Sequence, residues 1–89
     1  MSLDCFPNPF NPSATIRFHT PASSGAQRVV IGIYNVKGVM VKSFATSSPS
    51  GSLVWDGRDM NGKNVTSGMY FYRLIVGDKS LQGKMVLAK

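Results

Sequence analysis

Cysteine occurs once, at Cys5, so the chain cannot close a disulfide on itself and its fold is expected to stand without one. A thiol exposed there stays free to pair between chains. Histidine is equally scarce. His19 is the only base available to activate Cys5, and with Cys5 set beside prolines near the start of the chain a nucleophile–base pair is not expected. The four acids, Asp4, Asp56, Asp59 and Asp78, are dispersed and offer no paired carboxylates. With one His and one Cys they make neither a metal cluster nor a triad, so the chain reads as non-catalytic, with no cofactor. No apolar run approaches the roughly 18 residues that cross a bilayer, and no basic-then-apolar leader with a cleavage site opens the chain. No membrane span is expected. Met1-Ser2-Leu3 reads as a cloning remnant ahead of an excised fragment, which leaves localisation to be inferred from elsewhere.

What is present favours one folded domain. Apolar residues make up 43% and charged residues 16% of 89 positions, a balance opposite to that of disordered tails. A chain of this size buries roughly 60–65% of the surface it exposes when unfolded, which leaves little room for a deep pocket. The formal charge is +6, yet Arg17, Arg28, Lys37, Lys42, Arg58, Lys63, Arg73, Lys79, Lys84 and Lys89 are spaced mostly singly among apolar residues. Without a basic run or a binding motif, nucleic acid is not an expected partner. Such a surface instead suits acidic partners or anionic polysaccharide.

The dominant period is two, with β-branched and aromatic residues between turn residues, which predicts an all-β chain. Residues 15–19 put Ile16 and Phe18 on one face and His19 on the other, toward solvent. Residues 28–34 turn Val29, Ile31 and Ile33 inward, and Asn35-Val36-Lys37-Gly38 supplies a hairpin turn into a return strand over 39–44. Residues 45–51 read as a Ser-, Pro- and Gly-containing loop, followed by a short strand that sends Leu53 and Trp55 to the core. After the irregular stretch 56–68, residues 69–76 form the strongest strand, central because both of its faces are apolar. Tyr70, Tyr72 and Leu74 share one face and Phe71, Arg73 and Ile75 the other. Gly77-Asp78 reverses the chain into a last strand over 80–87, with Leu81, Met85 and Leu87 on one face. Six or seven short strands without an amphipathic helix predict two antiparallel sheets packed face to face, around Trp55, Phe18, Ile31, Ile33, Tyr72 and Leu74.

Three sharper readings of single features fail on spacing or placement. Asp56, Asp59 and Asn61 before Gly62 imitate a calcium loop, but the ligands do not alternate and no acid closes the far end. Turns built by Asx side chains explain them better, with Asp56 bracing the loop after Trp55. Asn64-Val65-Thr66 is a glycosylation sequon by letter only. Tyr34, Tyr70, Tyr72 and Trp55 would make an aromatic platform for sugars, but strand alternation assigns at least Tyr72 and Trp55 to the core.

Three blocks of sequence carry a family resemblance. Phe6-Pro7-Asn8-Pro9-Phe10-Asn11-Pro12 precedes the first expected strand, where its prolines force an extended, non-helical lead-in that docks Phe6 and Phe10 on the sandwich edge. Ile33-Tyr34-Asn35-Val36-Lys37-Gly38 forms the hairpin. Trp55-Asp56-Gly57-Arg58-Asp59, with Gly62, Val65, Gly68, Tyr70 and Tyr72 at fixed distances behind it, forms the third. In this order they resemble the Y-P-N-P-F-N-P, I-Y-D-x-x-G and W-D-G-x-D-x-x-G-x-x-V-x-x-G-x-Y-x-Y patterns of immunoglobulin-like domains at the C-termini of exported bacterial proteins. Phe6 stands where tyrosine is usual and Asn35 where aspartate is. Two groups share the pattern, the type A C-terminal sorting domains of the type IX secretion pathway and the immunoglobulin-like domain of the flagellar hook-capping protein. The ending, Gly83-Lys84-Met85-Val86-Leu87-Ala88-Lys89, resembles the sorting domains.

That resemblance implies an immunoglobulin-like β-sandwich over 14–89, with 4–13 as lead-in and 1–3 outside the natural segment. It implies export through the periplasm of a Gram-negative-type bacterium to the outer-membrane surface or beyond. The implied partners are the translocon proteins, which read the folded domain, and an N-terminal passenger, which is often released from it and attached to the surface. Carried over by motif, Pro7, Asn8, Pro9, Phe10, Asn11, Pro12, Trp55, Asp56, Gly57, Asp59 and Gly62 are mainly structural, and Gly68, Tyr70 and Lys84 form the candidate recognition surface. A hook-cap-like assembly module and a carbohydrate-binding module of a secreted hydrolase are the alternatives.

Overall fold

The computed structural model describes residues 1–7, 13–20 and 28–88. Among them are seven strands: β1 (Ser2–Phe6), β2 (Ala14–His19), β3 (Val29–Tyr34), β4 (Met40–Thr46), β5 (Ser50–Trp55), β6 (Gly68–Val76) and β7 (Lys79–Leu87). They form two antiparallel sheets, β1-β2-β5 and β4-β3-β6-β7, which is the immunoglobulin-like sandwich expected. As expected, β6 is an inner strand of its sheet.

Alternation decides what meets between the layers. Ala14, Ile16, Phe18 and Trp55 from the three-stranded sheet pack against Val29, Ile31, Ile33, Tyr70, Tyr72, Leu74, Val76, Met85 and Leu87 from the other. All six residues expected at the centre are buried, and His19 is exposed. Leu53 and Leu81 are half-buried at the margins. Thr20 is the buried polar residue among those described, and its backbone N–H and hydroxyl both donate to the Pro49 carbonyl, at 2.7 and 2.8 Å, extending the β2–β5 pairing by one residue beyond His19 and Ser50. Among the described residues no buried side-chain nitrogen or oxygen lacks a hydrogen-bond partner.

Two boundaries differ from the sequence expectation. Ser2–Phe6 is a strand paired along its length with β2, from Ser2 opposite His19 to Phe6 opposite Thr15, so the sandwich begins ahead of residue 14. Its alternation sends Leu3 and Cys5 toward the core and leaves Ser2, Asp4 and Phe6 outside. The expected loop over 45–51 shrinks to three residues, because Thr46 still pairs with Val29 and Ser50 already pairs with His19. Serine and glycine suffice there because β4 and β5 are edge strands with little to bury.

The Asn35–Gly38 turn forms as expected. The Asn35 side-chain oxygen accepts from the Lys37 and Val39 amides at 2.9 and 3.0 Å, and Gly38 takes φ +82°. Two tyrosines lie across glycines of neighbouring backbone. A Cβ on Gly83 would stand 2.5 Å from the Tyr72 ring inside the sandwich, and one on Gly32 would stand 2.8 Å from the Tyr34 hydroxyl on the outside. Each ring uses the space that a side chain would otherwise fill.

Candidate functional site

The third sequence block folds into a loop that holds two core rings. Trp55, fully buried at the end of β5, donates its indole N–H to the Arg58 carbonyl at 2.8 Å. Its ring meets that of Tyr70 edge-on, with centroids 5.3 Å apart. Tyr70 in turn donates its hydroxyl to the Thr66 carbonyl at 2.7 Å. The aromatic pair therefore anchors both ends of the irregular stretch through its polar atoms, as buried Trp and Tyr do.

Between these anchors the acids make turns. Asp56 accepts from the Arg58 amide at 3.2 Å, and one Asp59 oxygen accepts from the Asn61 and Lys63 amides at 2.9 and 3.0 Å. Gly57 and Gly62 take φ +76° and +79°, and the Val65 amide donates to the Gly57 carbonyl at 2.9 Å. A carboxylate oxygen occupied by two amides is a structural acceptor. Among the described residues no three His, Cys, Asp or Glu side chains come close enough to hold a metal ion. Among the described residues no helix is long and apolar enough to cross a membrane.

Of the first block, Pro7 follows β1 in an exposed position, after a cis Phe6–Pro7 peptide. Asn8, Pro9, Phe10, Asn11 and Pro12 lie outside the described residues, as does the docking expected of Phe10. Phe6 itself is 46% exposed, under the Arg17 guanidinium at 5.3 Å.

The candidate recognition residues are divided by the fold. Gly68 opens β6 opposite Leu87, exposed, with φ +147° and open space where a side chain would stand. Lys84 is exposed on β7, opposite Phe71. Tyr70 is a correction. At 5% exposure it faces inward with Tyr72 and Leu74, so it shapes the core under that strand. The same burial removes Trp55, Tyr70 and Tyr72 from any aromatic platform for sugars.

Cys5 is half-buried on the edge strand β1, and its thiol donates to the Met85 sulfur at 3.7 Å. Burial, and behind it the charge of Asp4, pushes the thiol up to about 11, so it stays protonated and a poor nucleophile near neutrality.

Sequence reasoning passed over one feature. On the outer face of the four-stranded sheet a groove of about 260 Å³ is bounded by Tyr34, Phe71, Arg73 and Gln82, with the Asn35–Gly38 turn at its end. Arg73 donates to the Gln82 side-chain oxygen at 3.2 Å, and its guanidinium lies 5.5 Å from the Tyr34 ring centroid. The available signal was Gly32 two residues before Tyr34 on a strand, which marks backbone bare enough for a ring to lie on.

Comparison with known proteins agrees with this architecture. The family model described as the secretion system C-terminal sorting domain matches residues 4–88. Among solved structures, dimeric latent PorU from Porphyromonas gingivalis is 28% identical with a TM-score of 0.80, over 97% of this chain and 9% of that one. PorZ, an essential bacterial surface component of the type-IX secretion system of the same organism, is 20% identical with a TM-score of 0.68, over 99% of this chain and 12% of that one. The chain thus spans only a small part of either protein. No curated protein matches it.

Proposed function

The chain belongs to the family of secretion system C-terminal sorting domains, the signals of type IX export, and from that membership we propose that it acts by being recognised, with no reaction of its own. A domain of this family works with the secretion machinery, and the protein that carries it is secreted or displayed at the cell surface. In our reading the chain is the terminal module of a longer bacterial protein that crosses the periplasm. The translocon proteins at the outer membrane read the folded sandwich, and the passenger N-terminal to it is delivered to the surface and attached there.

The observation that carries this reading is the match over residues 4–88, nearly the whole chain. The packing supports it, because prominent rings and a carboxylate of the third sequence block are engaged by the fold itself: Trp55 and Tyr70 by carbonyls, Asp59 by amides. The reading assigns the partner contact to the exposed side of β6 and β7, bordered by Gly68 and Lys84. Tyr70 supports that surface from beneath. The direct experiment fuses residues 1–89 behind a signal-bearing reporter in a bacterium with type IX machinery. Delivery of the reporter to the cell surface or medium is expected, and a reporter retained in the periplasm overturns the reading.

A further inference from the structure

We propose that the outer face of the β4-β3-β6-β7 sheet docks a folded protein partner that places a carboxylate on Arg73 within an apolar surround. The proposal rests on the sorting function above and names the chemistry of its contact.

The charge of the sheet comes first. On its outer face the sheet carries Arg73 and Lys84 and its four strands contain not one acidic residue, while Lys42 and Lys79 stand opposite the inward-facing Ile33 and Val76. The four acids of the chain lie elsewhere, Asp4 in β1, Asp56 and Asp59 in the loop after β5, and Asp78 in the β6–β7 turn. Across the strands Arg73 stands between Gly32 and Gln82, both uncharged. Its guanidinium is already held, by the Gln82 oxygen along one edge and the Tyr34 ring on one face. A planar cation fixed in this way loses little freedom on binding and presents its remaining N–H groups as a fork that matches a carboxylate.

The surround comes second. Opposed pairs on the same face are Tyr34 with Phe71, Val30 with Ile75, and Met69 with Val86. Met69 and Val86 are each 39% exposed, and Tyr34, Phe71, Val30 and Ile75 are half-buried. Aromatic residues, methionine and arginine are the types enriched at the buried centre of protein interfaces. An anionic membrane is matched instead by clusters of about 4–8 Lys and Arg, and this face carries too few. A partner with carboxylates set among apolar side chains fits both the charge and the surface.

The reporter fusion separates this inference from the sorting function. If the unaltered fusion is not exported, the function fails first. Given export, Arg73→Glu is expected to reduce surface delivery at least about fivefold, the scale of a lost and reversed ion pair, and Lys84→Glu on the same face to reduce it less. Lys63→Glu, the same change of net charge in the loop after β5, is expected to leave delivery unchanged. The melting temperature of each purified variant shows whether it folds, and the Arg73→Lys variant, which keeps the charge but not the fork, is expected to fall between wild type and Arg73→Glu. Wild-type delivery by folded Arg73→Glu overturns the proposal, and so does an equal loss in Lys63→Glu. Two further arms test other occupants with the purified chain. Binding to phosphatidylglycerol vesicles that Arg73→Glu abolishes assigns the face to a membrane, and a dimer in sedimentation that the same change dissociates assigns it to a second copy; either result overturns the proposal.

Discussion

Strand β6 has two apolar sides with opposite fates. Tyr70, Tyr72, Leu74 and Val76 point inward and are all buried, whereas Met69, Phe71, Arg73 and Ile75 point outward and keep contact with solvent. Composition separates the sides only by Arg73, since each has aromatic and aliphatic side chains. What distinguishes them is the three-stranded sheet, which covers one side alone. The inner side is fixed by packing at near-crystalline density and tolerates little change. The outer side is where a sequence can vary its contacts without unfolding the domain, and so where recognition can reside.

The largest test of that contrast is truncation of the central ring. Trp55→Ala removes the largest fully buried side chain together with the indole bond to Arg58 and the contact with Tyr70. A loss of about 3–5 kcal/mol is expected, a large part of the stability of a domain this small. Phe71→Ala, an aromatic truncation on the outer side, is expected to cost no more than about 1 kcal/mol. Denaturant midpoints of the two variants measure the difference. Equal costs would mean that the outer side is as tightly packed as the inner and is no free surface.

A finer test uses the two glycines under tyrosines. Gly83→Ala drives a methyl to 2.5 Å from the Tyr72 ring, which at 7% exposure has nowhere to move. Overpacking of this kind costs about 1–3 kcal/mol. Gly32→Ala creates a similar clash with Tyr34 at 2.8 Å, but that ring lies on the open face and can swing toward solvent. The change is expected to stay within about 0.5 kcal/mol of wild type, helped by the reduced freedom of the unfolded chain. A thermal melt of each variant decides it. If both are silent, the inner ring is less confined than its burial implies.

Most of this arrangement was legible where a strand repeats its period over six or more residues. Val29, Ile31 and Ile33 announced their face, as did Tyr72, Leu74 and Met85, and Asn35 with Gly38 announced the hairpin turn. The motif reading misplaced Tyr70, although the alternation had put it beside Tyr72 on the covered side. The short terminal strand was hidden for a different reason. Ser2-Leu3-Asp4-Cys5-Phe6 is five residues long beside a proline and has weak propensity of its own, so it becomes a strand through pairing with residues 15–19. Ser50-Gly51-Ser52 is likewise a strand by pairing with Arg17, Phe18 and His19. The Arg73 groove was least legible, because alternation gives the side that Phe71 and Arg73 share but not how Tyr34, Gln82 and the Asn35–Gly38 turn, brought in from other strands, close around them.

The smallest expected effect concerns the seam where β1 meets β7. Cys5 points to the covered side, its thiol against Met85, and burial with the nearby Asp4 raises it to about 11. The ordinary value from which it is raised, and which the unfolded chain keeps, is 9.0. The folded state therefore holds this proton more tightly, and the stability it contributes is complete below the unfolded value and declines as pH rises from there through the folded value. Tyr72 is raised too, first by burial and then by the charges of Cys5 and Asp4, and drives a decline of the same sign at higher pH in any variant that keeps it. The contribution of the thiol is the difference between wild type and Cys5→Ala. Melting temperatures taken between about pH 8 and 10 are expected to fall more steeply for wild type than for Cys5→Ala. Parallel slopes would place the thiol in water, on the open side of the domain, and move β1 off the core.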